Sequence, residues 1–420
     1  MELIASYFSD YPLSPSDFGK LGRRIQILGD FIATSGSIEM GINLSPSVES
    51  IAISLFPFLQ QPRNDTRRPF SALFSRHKTG TRGIVIPVGR PTFRFACHLI
   101  GSIRNVFGSH LPIEIAYSGD EDLPSSYRNF LISLGSNIET VDITQVFNDD
   151  HLRLAKGKWA IKPFAILASK FEEVVLLDSD SVMLQPPDVL FGHQGFQKTG
   201  VLLFRDRLIF KGAYPDRHAW WEEQMKHTIP SSNYLNSLVH REHYSEEGES
   251  GLVVVNKGNL NVFLGLLHVA WQNSEKVRNQ VTYKMGYGDK ESWWLAFELC
   301  KVPYSFEHRY AAIIGEVVKR DNVSRVCSFT IAHVDDKDEP LWLNGSLLKN
   351  KALNETEFWI PEAWMADGEW EKGFSKSSWS CKKGGRIEAL DKHTIDIFRR
   401  SVDQARRLDN MMRTLLNAPQ

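Results

Sequence analysis

Short apolar runs alternate with helical patterns in the first half of the chain, and this alternation restricts the possible folds more than any other feature. The apolar runs lie at 83–89, 113–117, 138–143 and 173–177, with helical patterns over 93–106, 125–134 and 158–170 between them. Strands separated by helices of this length form βαβ units, in which the strands lie parallel in one sheet. The pattern therefore predicts an α/β fold with a mostly parallel, mixed sheet flanked by helices.

The pattern also suggests three parts of the chain. We expect an N-terminal helical extension over 1–80, an α/β domain over 81–348 and a C-terminal extension over 349–420. Within the α/β domain, further β signals lie at 201–204, 252–256 and 328–334, and we expect the last of these to be the final strand. A charged amphipathic helix is expected over 385–416.

Composition and missing motifs exclude several classes of function. The chain of 420 residues has 49 Lys and Arg against 50 Asp and Glu, so it lacks the basic excess of a nucleic-acid-binding protein. It has no G-x-x-x-x-G-K-[ST], G-x-G-x-x-G, H-E-x-x-H or G-x-S-x-G motif. Kinase, dehydrogenase, zinc-protease and serine-hydrolase interpretations therefore lose their usual support.

The cysteines and glycosylation motifs bear on the cellular compartment. The four cysteines, with no C-x-x-C pair among them, are compatible either with two disulfides or with buried free thiols. Five N-x-[ST] motifs favour a secretory protein, and we expect those at Asn322, Asn344 and Asn354 to be accessible at the surface; the other two are at Asn43 and Asn64. The N-terminus does not resemble a signal peptide, so either the protein is soluble or a membrane anchor precedes Met1.

The most informative local motif is Asp178-Ser179-Asp180, which directly follows the apolar run at 173–177. Ligands of open α/β sheets bind beyond the carboxyl ends of the strands. Two carboxylates at i and i+2 can bind one divalent cation, which would neutralise a diphosphate. An acidic turn is the ordinary alternative for such a triplet, but its place at a buried strand exit favours the binding site.

Longer segments carry a resemblance to a known family. The segment KWAIKPFAILASKFEEVVLLDSDSVMLQPPDVLF (158–191) resembles the retaining GT-A glycosyltransferases, most closely the fungal Golgi α-mannosyltransferases that extend mannan branches (glycosyltransferase family 71). The segments GIVIPVG, RFACHLIGSIRNVFGSHLPIEIAYSGDEDLP, EEGESGLVVVNK and GDKESWWLAFEL agree with it in the same order. The resemblance implies a GT-A, Rossmann-like fold and makes 81–348 the catalytic domain.

The resemblance also implies a ligand set for metal and donor. Asp178, Asp180 and His333 would bind Mn²⁺ or Mg²⁺, with Asp335 and Asp336 as competing candidates for the third ligand. The donor would contact the same acidic pair, together with Lys162, Pro87 and Gly89.

Two further segments would supply the acceptor site and the reaction centre. Glu249, Ser250 and Gly251 would contact the acceptor, and Asp289 or Glu291 would act at the anomeric carbon or orient the acceptor hydroxyl. The alternative for Asp289 and Glu291 is an ordinary acidic first turn of a helix. The neighbouring Trp293 and Trp294 are expected in the core.

The implied activity is metal-dependent transfer of α-mannose, with retention, from GDP-mannose to a mannosylated glycan through an α-1,2 or α-1,3 linkage. A UDP-hexose donor is the first alternative, and a non-catalytic partner subunit of a glycosyltransferase complex is the second. The implied location is the Golgi lumen, with a membrane anchor outside this sequence; otherwise we expect a cytoplasmic protein.

Overall fold

The computed structural model describes residues 2–34, 45–61 and 67–416. The glycosylation motifs at Asn43 and Asn64 lie outside these residues. Within the three described stretches, no helix is both long and apolar enough to cross a membrane.

The helices of the described chain are α1 (Glu2–Asp10), α2 (Phe18–Thr34), α3 (Pro46–Leu55), α4 (Pro69–Phe74), α5 (Phe93–Asn105), α6 (Ser125–Ile132), α7 (Ile161–Ala168), α8 (Gln194–Thr199), α9 (Pro215–Met225), α10 (Ser232–Leu235), α11 (Leu238–Glu242), α12 (Leu260–Gln272), α13 (Glu275–Val277), α14 (Tyr283–Met285), α15 (Lys290–Leu299) and α16 (Lys392–Leu416).

The strands are β1 (Lys78–Pro87), β2 (Ile113–Tyr117), β3 (Ile138–Asp142), β4 (Phe171–Leu177), β5 (Ser181–Met183), β6 (Val201–Arg205), β7 (Gly248–Asn256), β8 (Ser305–Phe306), β9 (Ile313–Arg320), β10 (Val323–Ser328), β11 (Ile331–Val334), β12 (Pro340–Asn344), β13 (Leu348–Asn350), β14 (Asn354–Phe358), β15 (Ala363–Met365), β16 (Glu369–Glu371), β17 (Ser380–Lys383) and β18 (Glu388–Ala389).

The main sheet has seven strands in the order β3-β2-β1-β4-β7-β6-β8. Its neighbours pair in parallel, except that β7 runs antiparallel to both β4 and β6. Strand β4 lies at the centre of the sheet, and its last four residues are fully buried, as expected for a strand covered on both faces. The predicted α/β class with a mostly parallel, mixed sheet is confirmed.

Helices cover both faces of this sheet. Apolar residues of α2, α3, α4, α7, α12 and α15 share one core with the sheet, and those of α5, α6 and α16 share the other. The N-terminal helix α2 packs on α12 and α15, and the last helix packs on α5. The division of the chain at residues 80 and 348 stays a prediction.

The expectation that 328–334 would form the last strand is wrong. Strands β12–β18 follow it, and a six-stranded sheet has the order β16-β17-β10-β9-β15-β18. These late strands are two to five residues long, and several carry charged residues on an exposed face. Such short segments give too weak an alternation to be detected. The predicted helix over 385–416 begins only at Lys392, because the residues before it include the short strand β18, which the sequence pattern did not reveal.

The four cysteines divide between the two alternatives that the sequence left open. Cys327 and Cys381 form a disulfide between the paired strands β10 and β17. Cys97 and Cys300 are buried free thiols.

Candidate active site

A cavity of about 670 Å³ opens beyond the carboxyl ends of β1 and β4. Eight of the eleven residues that the sequence singled out line it: Pro87, Gly89, Lys162, Asp178, Asp180, Glu249, Ser250 and Asp289. Gly251, Glu291 and His333 do not. Most of the candidate residues therefore meet at the predicted strand exit.

The backbone around the acidic pair is fixed where two sheets meet. The Asp178 N–H donates to the carbonyl of Gly251 at 2.8 Å, and the carbonyl of Asp178 accepts from Ser181 N at 3.0 Å. Ser181 opens β5, which pairs with β12 of a small three-stranded sheet. The carbonyl of Asp180 in turn accepts from Ser346 N at 2.8 Å. Both carboxylates are thus directed from a rigid turn, and about a fifth of each remains exposed.

A buried lysine connects two carboxylates in the floor of the cavity. Lys162 Nζ lies 3.0 Å from Asp178 Oδ1 and 3.3 Å from Asp289 Oδ1, and it donates to the Ser250 carbonyl at 3.0 Å. Burial disfavours the charge of Lys162, but Asp178 and Asp289 outweigh it and raise the pKa of the ammonium. Burial raises the pKa of Asp178 to about 7, and Asp180 and Asp289 add to the shift against the opposing effect of Lys162. Asp178 therefore lies among carboxylates that repel its charge, with Lys162 as the buried cation between Asp178 and Asp289.

Asp289 is fully engaged by donors although it lines the cavity. Its Oδ1 accepts from Ser250 Oγ at 3.1 Å, and its Oδ2 accepts from Trp293 Nε1 at 2.9 Å. Asp289 precedes α15, and Trp293 lies one turn into that helix. The indole of Trp293 is buried, as expected, and positions the Asp289 carboxylate.

A second ionic network, which includes Glu249 and Lys290, also lines the cavity. Lys290 Nζ donates to Glu249 Oε2 at 2.8 Å and also pairs with Asp206. Burial opposes the charge of Glu249, but Lys290 outweighs it and lowers the pKa of this carboxyl. Asn344 Nδ2 donates to Glu249 Oε1 at 3.0 Å. The expectation that Asn344 is accessible for glycosylation is therefore wrong, because its amide nitrogen is held in the cavity wall.

Two of the predicted residues support the site from behind. Gly251 donates its N–H to Glu249 Oε1 at 2.9 Å, and an added Cβ would lie 2.9 Å from Asn344 Nδ2. Glu291 is buried and accepts from Glu247 N and Gly248 N at 3.0 Å and from Trp294 Nε1 at 2.7 Å. All three contacts of Glu291 position the start of β7 and α15. Its assignment as a catalytic residue stays a prediction, without access to the cavity in this structure.

His333 lies behind the cavity in an aromatic stack. Its ring is 4.4 Å from that of Trp342 and nearly parallel to it, and Phe204 meets it edge-on. Burial lowers the pKa of His333 to about 4. In the described part of the chain, no three His, Cys, Asp or Glu side chains are grouped to hold a metal ion. The role of His333 as the third metal ligand therefore stays a prediction, and so does that of Asp335 or Asp336.

The acidic pair itself fits a divalent cation as two of its ligands. Both side chains are partly exposed to the cavity, and they offer the carboxylate oxygens that Mn²⁺ and Mg²⁺ accept. The raised pKa of Asp178 reflects burial and the repulsion of neighbouring carboxylates, and a bound cation would relieve this repulsion.

Comparison with known proteins assigns the chain to a family. The family model described as “Mannosyltransferase putative” matches residues 81–335, which include the strand exit at Asp178 and the start of α15. The chain belongs to this mannosyltransferase family. The mostly parallel, mixed sheet flanked by helices is the α/β architecture that the resemblance implied.

Relatives of the mannosyltransferase family include two proteins of Saccharomyces cerevisiae. Alpha-1,3-mannosyltransferase MNN1 is 25% identical over 70% of this chain, and alpha-1,3-mannosyltransferase MNT3 is 28% identical over 59% of it. The chain spans 44% of the length of each relative. Among solved structures, the galactosyltransferase LgtC matches 54% of this chain and 73% of its own, with 13% identity and a TM-score of 0.36.

Several cavity residues were missed by sequence reasoning. Trp159 and Lys158 lie inside the segment that carried the resemblance, so an aromatic and a basic residue just before α7 were a usable signal. Asn344 and Lys351 lie beyond the residues that the mannosyltransferase family model matches. No local pattern marks these two, because only the path of the strands after β11 brings them to the cavity.

Proposed function

We propose that the protein is a retaining α-1,3-mannosyltransferase that uses GDP-mannose as donor and a mannosylated glycan as acceptor. The observation that carries the proposal is the cavity in which Asp178, Asp180, Lys162 and Asp289 meet, within a chain of the mannosyltransferase family. The names of the relatives support the α-1,3 linkage over α-1,2. The alternative of a UDP-hexose donor is decided by the experiment below.

In this proposal, Asp178 and Asp180 hold Mn²⁺ or Mg²⁺ together with the donor diphosphate. When bound, the cation supplies Lewis-acid stabilisation of the departing diphosphate. The residues of the chain provide the rest of the polar environment. Lys162 keeps Asp178 oriented through its contact at 3.0 Å, and Pro87 and Gly89 line the cavity at the end of β1, on the donor side.

Asp289 has the position to stabilise positive charge at the reaction centre. As the bond from the anomeric carbon to the phosphate oxygen breaks, its electron pair goes to the phosphate and the sugar acquires oxocarbenium character. The carboxylate of Asp289 is fixed by Ser250 and Trp293, so it stabilises this charge without having to reorient. The acceptor oxygen then bonds to the same face of the anomeric carbon, and its proton passes to the departing phosphate. The alternative mechanism is a double displacement in which the Asp289 carboxylate is the nucleophile.

An aromatic rim supplies a surface for the acceptor. Trp159 and Tyr287 line the cavity, are 37% and 63% exposed, and have their ring centroids 5.6 Å apart. Flat apolar ring faces that are already held in place suit the apolar face of a sugar. In this proposal the acceptor glycan lies against these rings, above Glu249 and Ser250.

We place the protein in the Golgi lumen. The disulfide between Cys327 and Cys381 supports an oxidising compartment, since such bonds are rare in the cytosol. The motifs at Asn322 and Asn354 are both exposed and so are available for glycosylation.

A donor screen tests this function. GDP-mannose, UDP-glucose, UDP-galactose and UDP-GlcNAc are each incubated with a mannose oligosaccharide and Mn²⁺. We expect transfer from GDP-mannose alone, loss of transfer with EDTA, and an α-1,3 linkage in the product by NMR. Transfer from a UDP-sugar would overturn the donor assignment. No transfer from any donor would favour the non-catalytic partner subunit.

A further inference from the structure

Lys351 reaches the acidic pair from a part of the chain that lies outside the family match. It follows β13, in the turn that connects this strand to β14. Its ammonium forms an ion pair with Asp180, and its side chain lines the cavity. The family model ends at residue 335, so this lysine is added to the site by the C-terminal region.

The hairpin that carries Lys351 is anchored to the residue it contacts. Ser346 N, just before β13, donates to the Asp180 carbonyl at 2.8 Å, and Gly345 N donates to the same oxygen at 3.3 Å. Leu347 and Leu348 are buried and hold the base of the hairpin against the core. The position of the Lys351 backbone relative to Asp180 is therefore set by the fold, while its long side chain remains free to reorient.

Two lysines contact the acidic pair, and the structure holds one of them more firmly than the other. Lys162 is 3% exposed and contacts Asp178, Asp289 and Ser250, so it cannot leave without uncovering buried charges. Lys351 is 36% exposed, and within the described chain its one ion pair is with Asp180. This ion pair is partly open to solvent, which screens it and makes it weaker than the buried contacts of Lys162, so Lys351 exchanges its partner more easily than Lys162 does.

We propose that Lys351 is a donor-binding residue that changes partners, pairing with Asp180 before the donor binds and with the donor diphosphate afterwards. The inference rests on the proposed function, because it requires a metal at Asp180 and a diphosphate beside it. With a divalent cation held by Asp178 and Asp180, the Lys351 ammonium would be repelled and would lose Asp180 as its partner. The released ammonium then lies next to a diphosphate, an anion that lysine binds as a point charge.

This exchange predicts opposite effects on two affinities when the charge of Lys351 is removed. Without the ammonium, Mn²⁺ does not have to displace Lys351 from Asp180, so the Kd for Mn²⁺ alone should fall. Without the same ammonium, the diphosphate loses a charge-assisted contact, so the Kd for GDP at saturating Mn²⁺ should rise by about tenfold. A lysine with a merely structural role would move neither affinity in this crossed manner.

The experiment is isothermal titration calorimetry on the full chain, with Mn²⁺ alone and then with GDP at saturating Mn²⁺. The variants are Lys351→Met, Lys351→Arg and the matched control Lys349→Met. Lys349 lies two residues away on the same hairpin and pairs with Glu316 and Glu357, outside the cavity lining. We expect the crossed effect in Lys351→Met, near-normal GDP binding in Lys351→Arg, and no change in Lys349→Met.

The inference would be overturned if Lys351→Met bound Mn²⁺ as tightly as the wild type does and also bound GDP as tightly. It would also be overturned if the variant bound both ligands more weakly. If the wild type binds GDP with Mn²⁺ and Lys351→Met does so equally well, only the inference fails. If the wild type binds neither GDP nor UDP in the presence of Mn²⁺, the proposed function fails with it. Thermal unfolding of each variant shows whether it is folded, and Lys351→Gln replaces Lys351→Met if that variant is not.

Discussion

Asp289 and Glu291 are two residues apart in sequence, yet the structure gives them different surroundings. Asp289 lines the cavity, whereas Glu291 accepts three N–H donors from β7 and α15 behind it. Both are acidic and lie at the start of the same predicted helix, so the sequence offered them as equivalent candidates. Side chains two positions apart at the start of a helix point to different sides of it. Only the three-dimensional structure shows which of the two sides faces the cavity.

Replacing Asp289 by Asn should remove most of the activity while leaving the donor bound. The amide keeps the shape of the side chain but lacks the negative charge that stabilises the oxocarbenium-like state. We expect kcat to fall by about 100-fold or more, with a smaller change in the KM for GDP-mannose. Steady-state kinetics measures both values, and an unchanged kcat would exclude a role for Asp289 at the reaction centre.

Glu291→Gln is the matched comparison and should affect stability instead. An amide can accept at its oxygen only, so its NH₂ group would face one of the three N–H donors. We expect a loss of about 1–3 kcal/mol in the free energy of unfolding and a kcat close to that of the wild type. Denaturant unfolding and kinetics on the folded protein measure the two effects. A large fall in kcat at unchanged stability would support Glu291 as a catalytic residue.

The sequence could predict the site residues that lie in a recognisable local pattern, and it could not predict those brought to the site by strands that have no such pattern. The strand exit at Asp178 was predictable, because an apolar run that ends in two carboxylates is typical of a ligand site at the end of a buried strand. The environment of His333 was not, since its stacking partner Trp342 belongs to β12, a strand that the sequence did not reveal. Lys351 was missed for the same reason: its hairpin has no strong alternation.

Among the contacts between elements, a partly buried carboxylate joins the last helix to α5. Asp409 of α16 receives two hydrogen bonds from Arg94 of α5, at 2.9 and 2.6 Å, and lies 2.7 Å from His98 Nε2. Burial alone would raise the pKa of Asp409, but His98 and Arg94 outweigh it and lower the pKa to about 2. The stabilisation is therefore complete above the ordinary pKa of an aspartate and is lost only as the pH falls toward 2.

Asp409→Asn should therefore destabilise the protein equally at neutral and mildly acidic pH. We expect a loss of about 2–3 kcal/mol, less than for a fully buried pair because Asp409 is 21% exposed. The control is Asp403→Asn on the same helix, whose ion pair with Arg406 at 3.8 Å is 66% and 60% exposed. Urea unfolding at two pH values measures the difference, and equal effects of the two substitutions would contradict this role of Asp409.

A second contact between elements makes stability depend on pH. His268 of α12 is fully buried, and its Nε2 lies 3.0 Å from the Phe18 carbonyl at the start of α2. Burial lowers the pKa of His268 to about 4. Between the ordinary pKa of about 6.5 and pH 4, the unfolded chain therefore holds a proton that the folded chain does not, so stability falls as the pH is lowered.

The slope assigned to His268 can be measured by comparison with His268→Asn. One such proton corresponds to about 1.4 kcal/mol per pH unit. We expect the free energy of unfolding of the wild type to fall with decreasing pH below 6.5 more steeply than that of the variant, by up to this amount. Parallel curves for the two proteins would show that His268 is not the responsible group.

In the whole molecule, the chain after β11 adds residues to the cavity, and a disulfide closes this part of the chain into a loop. The disulfide joins β10 to β17 across 54 residues, and this interval includes Asn344 and Lys351 of the cavity. Cross-linking a loop of this length stabilises the folded state by about 4 kcal/mol in the chain-entropy model, and measured values are often smaller. The bond thus restrains the region that adds these residues to the family core.

Thiol labelling tests this assignment of the four cysteines. In the native protein, we expect no rapid reaction with a thiol reagent, because Cys97 and Cys300 are buried and burial raises the pKa of both thiols. Under denaturing, non-reducing conditions two thiols should react, and after reduction four. A double Cys327→Ser, Cys381→Ser variant should be less stable than wild type and insensitive to reductant. Four reactive thiols without reduction would contradict the disulfide.

We propose that mannosyl transfer takes place at the acidic pair after β4. The most direct test is the initial rate of transfer from GDP-mannose with Mn²⁺ for the wild type, Asp180→Asn and the control Asp188→Asn. Asp188 is exposed and lies outside the cavity lining, so its replacement should leave the rate unchanged. Asp180→Asn removes a charged metal ligand, and we expect it to retain less than about a tenth of the wild-type rate. If a folded Asp180→Asn protein retained more than about a tenth of the wild-type rate, Asp180 would not be required for mannosyl transfer.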